Sequence, residues 1–201
     1  MDDSPTTRLS LLARLRSPRD EQAWEEFAAI YGPLIVRLAR RRGLQPADAA
    51  DLAQEVFGAV AAAIDGYDLD PARGSFRGWL FRIARNLTVN FLVRRRRHPP
   101  GPGGSDAAGL LEAQPAPEDS SSFELEYRRR LFTWAAEQVR GEFTEAAWRA
   151  FWITGVEGRN AAEAAAELKT TVGTVYVHKS RVMARLRREI ERVEGREADG
   201  G

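Results

Sequence analysis

Asp48, Asp51 and Glu55 recur at spacings of three and four within DAADLAQEVF, so a helix through Asp48–Phe57 carries three carboxylates on one face beside Gln54. In helical bundles such a stripe can do acid–base or metal chemistry when Glu-x-x-His pairs supply the ligands. No histidine accompanies this one. The chain's two histidines, His98 and His178, stand far from it and from each other. Cysteine is absent, which excludes disulfides and thiolate metal sites and fits a reducing cytoplasm. On periodicity alone the stripe reads as a solvated face opposite an apolar one. A protein-docking face is the better functional alternative, and no catalytic centre, cofactor or metal is expected.

Positive charge gathers in two other places. Eight arginines and no acid lie between Arg73 and Arg97, in GSFRGWLFRIARNLTVNFLVRRRR behind one arginine. Within this stretch Phe76, Trp79, Leu80, Ile83, Ala84 and Leu87 share one helical face, while Arg82, Arg85, Asn86 and Val89 point away from it. One side packs and the other meets something anionic, the division of labour of a nucleic-acid binder. The plainer reading of Arg94–Arg97 is a solvated helix end favoured by the helix dipole. Tyr67, in the loop before this helix, is a weaker candidate for holding an unstacked base. The second basic segment, Lys169–Arg188, has six basic residues and no acid, and 98–126 between the two has six acids and no Lys or Arg. Two anion-binding surfaces separated by an acidic connector follow from this pattern.

The elements that must position these residues are all helices. Asp20–Arg42 carries Trp24, Phe27, Ile30, Tyr31, Leu34, Ile35 and Leu38 on one broad stripe, and Pro33 inside it predicts a kink or break near Tyr31. Gly43 ends that helix, and Pro46 sits at the first turn of the next. The next runs to about Ile64, with Leu52, Val56, Phe57, Val60 and Ile64 inward. Asp65–Gly74 reads as a loop, with Ser75 as N-cap of the arginine-rich helix. His98–Ser122 is rich in proline, glycine and serine and reads as a linker. Helices are then predicted over Phe123–Val139, Thr144–Thr154 and Ala161–Leu168. A turn at Lys169–Thr171 leads to a last helix ending near Val193, which is the helix-turn-helix pattern.

In that last helix Val172, Val175, Val182 and Leu186 pack inward. Thr171, Thr174, Tyr176, Val177, Lys179, Ser180 and Arg181 remain for solvent or DNA. The five tryptophans, Trp24, Trp79, Trp134, Trp148 and Trp152, read as core. No strand pattern survives, and no apolar run approaches membrane-spanning length, so no membrane insertion is expected. The expected fold is all-α, two small helical domains joined by a flexible linker. The first covers 1–97, the linker 98–122, the helix-turn-helix domain 123–195 and a frayed tail 196–201.

Taken together, these motifs resemble the extracytoplasmic-function group of the sigma-70 family of bacterial RNA polymerase sigma factors, over about Asp20–Ile190. DAADLAQEVF resembles the region-two segment that docks on the β′ clamp helices of RNA polymerase. GSFRGWLFRIARNLTVNFLVRRRR resembles the segment that melts and reads the minus-ten element. EGRNAAEAAAELKTTVGTVYVHKSRVMARLR resembles region four, which reads the minus-thirty-five element. The resemblance implies polymerase-binding roles for Asp48, Asp51, Gln54, Glu55 and Phe57. It implies minus-ten roles for Arg77, Arg82, Arg85, Asn86, Val89, Arg94 and Arg95, with the Asp65–Gly74 loop approaching an extruded base. Thr174, Tyr176, Val177, Lys179, Ser180, Arg181 and Arg185 would meet the minus-thirty-five element, Lys179 and Arg185 as phosphate neighbours. Val177 stands where the family commonly has a polar residue. The implied partners are core RNA polymerase, through its β′ clamp helices and β flap, and promoter DNA, with an anti-sigma factor as a further candidate.

Two other readings compete with this one. A LuxR-like helix-turn-helix regulator, with the N-terminal half as a sensor or dimerisation domain, suits VGTVYVHKSRVMARL nearly as well but leaves the arginine helix and the acidic stripe unexplained. An enzyme built on the Asp48–Glu55 carboxylates requires those acids to face a pocket.

Overall fold

The computed structural model describes residues 11–67, 75–97 and 117–194. Eight α-helices run through them: α1 Leu11–Leu15, α2 Glu21–Arg41, α3 Pro46–Ala63, α4 Phe76–Arg97, α5 Pro117–Val139, α6 Glu145–Phe151, α7 Ala161–Glu167 and α8 Val172–Glu194. A 3₁₀ turn, Ile64–Gly66, follows α3, and a π-helical turn, Trp152–Val156, follows α6. There is no strand among the described residues. The expected tail beyond Gly195, most of the Asp65–Gly74 loop and the linker as far as 116 lie outside the described residues.

Two compact units divide the chain. One is Ala13–Arg130, and the other holds Leu11, Leu12 and the chain from Leu131. The boundary falls inside α5. That helix starts at Pro117, earlier than the predicted start at Phe123, and its first half is built into the first unit.

In the first unit α2, α3 and α4 pack on one another. Asp20 caps α2, its carboxylate accepting from the Ala23 N–H at 2.9 Å. Arg14 donates to Asp20 at 2.9 Å and reaches the buried Glu26 at 3.3 Å. The Asp20 carboxyl is held below the usual carboxylate range, first by the Arg14 hydrogen bond and then by that of the Ala23 N–H. Phe27 is fully buried, ringed by Trp24, Tyr31, Phe57 and Phe76 with centroids 4.9 to 6.2 Å away.

α2 passes through Pro33 as one helix, so of the predicted kink or break the break does not occur. Proline has no N–H, so the carbonyl one turn earlier, that of Ala29, loses its helical partner. Arg130 of α5 supplies the replacement, donating from Nε to the Ala29 oxygen at 2.9 Å. A side chain from a later helix thus satisfies the acceptor that proline orphans, and α2 stays whole.

The second unit is built on α8, against which α6 and α7 pack. Thr144 caps α6 through the Ala147 N–H, and Asn160 caps α7 through the Glu163 N–H. Ala150, Ile153, Ala164, Ala165 and Val175 form one buried cluster at the α7–α8 junction. The small side chains of α7 let its backbone approach α8 closely. Trp134 and Trp148 are buried, whereas Trp24, Trp79 and Trp152 are half-buried, so the reading of all five as core holds fully for two.

Candidate nucleic-acid and docking surfaces

α3 presents the acids where the spacing predicts. Leu52, Ala53, Val56 and Val60 are buried, while Asp51, Gln54 and Glu55 are exposed and Asp48 is half-exposed at the edge of the stripe. Asp51 and Glu55 open to solvent, whereas the enzyme reading requires these acids to face inward. No group of three or more His, Cys, Asp or Glu among the described residues is placed to hold a metal. Phe57 does not stand out on this face. It is half-buried, and its ring meets Phe27 edge-on at 5.4 Å.

The stripe is not free of its own chain. Arg95 of α4 pairs with Asp48 at 2.8 Å, and Arg94 reaches Glu55 at 3.4 Å. Two arginines assigned to minus-ten phosphates therefore lie against two acids assigned to polymerase docking. These pairs are exposed, so each costs little to exchange for another partner.

α4 differs most from its sequence reading. Ser75 caps it as predicted, accepting from the Gly78 N–H at 3.1 Å. Its buried residues are Phe76, Leu80, Phe81, Ala84, Thr88, Val89 and Val93, while Trp79, Ile83 and Leu87 are half-buried. The packed face is wider than the predicted stripe and rotated toward Phe81 and Thr88. The cause is α5, whose Phe123 ring lies 5.4 Å from that of Phe81. Thr88 is tolerated inside because its hydroxyl donates to the Ala84 carbonyl at 2.7 Å. Val89, expected to point outward to DNA, is 5% exposed and belongs to the core.

Arg77 of α4 also has partners on α5. Its guanidinium donates to Glu124 at 2.7 Å and lies 4.7 Å from the centre of the Tyr127 ring. Burial lowers its affinity for the proton, but the Glu124 hydrogen bond and charge more than offset this, so the net direction is upward. Arg77 is thus already paired within its own unit. Arg82 and Asn86 are exposed and one turn apart, and Arg85 beside them is half-buried. Tyr67 packs on Phe76 and Trp79, at 5.6 and 4.8 Å between centroids, at the start of the loop whose remainder is outside the described residues.

The helix-turn-helix is formed by α7, the Leu168–Thr171 turn and α8. Lys169 adopts a left-handed backbone (φ 51°), uncommon for a non-glycine residue, and Thr170 N–H returns to the Ala165 carbonyl at 2.9 Å. Thr171 caps α8, accepting from the Thr174 N–H at 3.1 Å, and the two hydroxyls are 2.9 Å apart. Val175, Val182 and Leu186 are buried as predicted, whereas Val172, expected inside, is largely exposed. A network of Arg149, Glu157, Arg159, Glu163 and Glu167 ties α6 to α7 on the surface.

Two cations assigned to phosphates on α8 are already engaged. Lys179 donates to the Thr154 carbonyl at 3.1 Å, at the π-helical turn. Arg185 is held by Glu142 at 2.7 Å and by Glu189 at 2.9 Å. Glu189 is 7% exposed, clamped between Arg185 and Arg192. Burial pushes its carboxyl up, but the two arginines pull it further down, to a net value below the usual glutamate range. Sequence reasoning missed this buried acid, although the i, i+4 spacing from Arg185 and the i, i+3 spacing to Arg192 are visible in the chain. Tyr176, Val177, Ser180 and Arg181 are exposed on the side away from Val175, Val182 and Leu186.

The chain is similar to several known proteins. Residues 27–98 match the family described as Sigma-70 region 2. The chain is 30% identical over 183 residues to the RNA polymerase sigma factor CnrH of Cupriavidus metallidurans, covering 88% of this chain and 91% of that one. It is 36% identical over 75 residues to the ECF RNA polymerase sigma factor SigE of Mycolicibacterium smegmatis, covering 37% of this chain and 28% of that one. Among solved structures, one of CnrH in complex with the cytosolic domain of CnrY is similar at 24% identity, covering 90% of this chain and 95% of that one, with a TM-score of 0.35.

Proposed function

Because the chain belongs to the extracytoplasmic-function group of the sigma-70 family of RNA polymerase sigma factors, which direct the polymerase to promoters, we propose how its own residues divide that work. The exposed side of α3, Asp51, Gln54 and Glu55, docks on core RNA polymerase, with Asp48 at its edge. Arg82 and Asn86 on α4 read the minus-ten element, and Arg85 lies beside them. Tyr176, Val177, Ser180 and Arg181 on α8 enter the minus-thirty-five element. The observation that carries this division is the opposition of faces on each helix. Every one of these side chains is exposed or half-exposed, and each stands opposite a buried apolar stripe.

The mechanism is additive binding. Two basic helices each contribute contacts to one promoter element, and phosphate neutralisation makes affinity fall steeply with salt. The basic contribution is narrower than the charge count suggests, because Arg77, Lys179 and Arg185 hold the fold together. Arg94 and Arg95 exchange between Glu55 or Asp48 and an outside partner. A sensor or dimerisation role for the N-terminal half is set aside by its match to region 2. Reversing the charge of Asp51 and Glu55 together should weaken capture of core polymerase while leaving the helical content and melting temperature of the free protein unchanged. Wild-type capture by that double variant would remove the docking assignment.

A further inference from the structure

The outward face of α8 has an unusual centre. Gly173, Val177, Ser180 and Ala184 follow one another at spacings of four, three and four, and all four are exposed. At 3.6 residues per turn they lie within about 60° of arc, with Tyr176 about 60° to one side of Gly173 and Arg181 about 80° to the other. The middle of the face therefore carries short side chains, flanked by two long ones. A helix shaped this way can approach a groove floor more closely than one lined with arginine.

Val177 is the only residue of that central line with an extended apolar side chain, and it is 48% exposed. Among the described residues of the second unit, none buries it. The residues that hold α8 in place, Val175, Val182 and Leu186, lie on the other side. Val177 offers no hydrogen bond, so it cannot read a donor or an acceptor. In the major groove the one apolar feature that differs between base pairs is the C5-methyl group of thymine. Residues near the N-terminal end of a recognition helix are the ones that reach base edges, and Val177 stands in the second turn of α8.

We propose that Val177 is a specificity-determining residue that packs on the C5-methyl group of a thymine in the minus-thirty-five element. This rests on the assignment of α8 to that element. Ser180 and Arg181, one turn on, supply the polar part of the same readout, and the engaged Lys179 and Arg185 take no part in it. The cognate element then contains at least one thymine whose methyl group, rather than its hydrogen-bonding edge, is recognised.

The test uses holoenzyme reconstituted from the full chain and core polymerase, on a promoter mapped by runoff transcription. Each thymine of the minus-thirty-five region is replaced in turn by deoxyuridine, which lacks only the methyl group. One replacement should weaken promoter binding by wild-type holoenzyme roughly three- to fivefold, the worth of one buried methyl group. The same replacement should have no effect with Val177→Ala, while Val177→Thr, which keeps one methyl, retains part of it. Helical content and melting temperature of each free variant, compared with the wild type, check that both fold. Indifference of the wild type to every deoxyuridine, or undiminished sensitivity in Val177→Ala, overturns the inference. The parent assignment fails differently: a scrambled minus-thirty-five region would then bind wild-type holoenzyme as well as the native one, and the methyl readout falls with it.

Discussion

α4 and α8 are both basic helices, and they differ in how much of each is covered by its neighbours. α4 is enclosed on more than one side. α2 and α3 pack on it, and Phe123, Glu124 and Tyr127 of α5 cover it near its start. Arg77, Arg94 and Arg95 are all paired with acids of other helices, and Val89 and Val93 are buried. α8 buries a single stripe, so a full face with Tyr176, Val177, Ser180 and Arg181 stays open. Charge counted along a sequence is thus a poor measure of charge available at a surface. What matters is how many neighbours a helix has, because each neighbour brings acids that claim its arginines.

The sharpest way to break this comparison is to remove the second enclosure of α4. Phe81→Ala should destabilise the first unit by about 3–5 kcal/mol, as deletion of a buried aromatic does, read as a fall in midpoint during chemical denaturation. A cost below about 1 kcal/mol would mean that α5 does not cover α4 in solution. Next in size is the link from α5 to α2. Arg130→Ala should cost about 1–3 kcal/mol by leaving the Ala29 carbonyl unsatisfied. In a Pro33→Ala background, where residue 33 regains its N–H, the same change should cost clearly less. Equal costs in the two backgrounds would show that the Ala29 bond is not what Arg130 contributes.

On α8 the corresponding probe is Glu189. Its folded-state carboxyl lies below its ordinary value, so the stability it adds is present above the unfolded-state value and lost as pH falls through the folded one. Glu189→Gln should therefore melt below the wild type at neutral pH, with the gap closing on acidification. A gap independent of pH would point to lost packing rather than lost charge. The smallest effect belongs to the exposed pairs. Arg94→Ala with Arg95→Ala should change stability by no more than about 1 kcal/mol, while reducing the salt dependence of promoter binding.

Most helices were legible in the sequence, because each carries its own apolar period and its own punctuation. Gly43, Pro46, Ser75 and Asn160 stand at the ends their chemistry favours. The turn between α7 and α8 was equally plain. What the sequence hid was tertiary. The period of α4 shows one apolar stripe, and nothing local tells that Phe81 is covered as well, since the helix that carries Phe123 lies beyond an acidic, proline-rich stretch. The continuity of α2 through Pro33 was hidden for the same reason, because its remedy comes from Arg130. In the candidate sites periodicity foretold the exposure of Asp51, Glu55, Arg82 and Asn86. It did not show that Arg77, Lys179 and Arg185 have partners in their own units, since a long cation on a helix surface reads the same whether its partner is a phosphate or a group of its own chain.

Opening of minus-ten DNA by reconstituted holoenzyme, followed by the fluorescence of a 2-aminopurine placed in that element, tests the division of labour most directly. Arg82→Ala with Asn86→Ala should abolish or strongly slow the fluorescence rise while duplex binding through the minus-thirty-five element persists. Tyr176→Ala with Arg181→Ala should instead lose duplex binding, yet still open a fragment whose minus-ten region is already mismatched. If the two double variants behave alike on both fragments, α4 and α8 do not read separate elements.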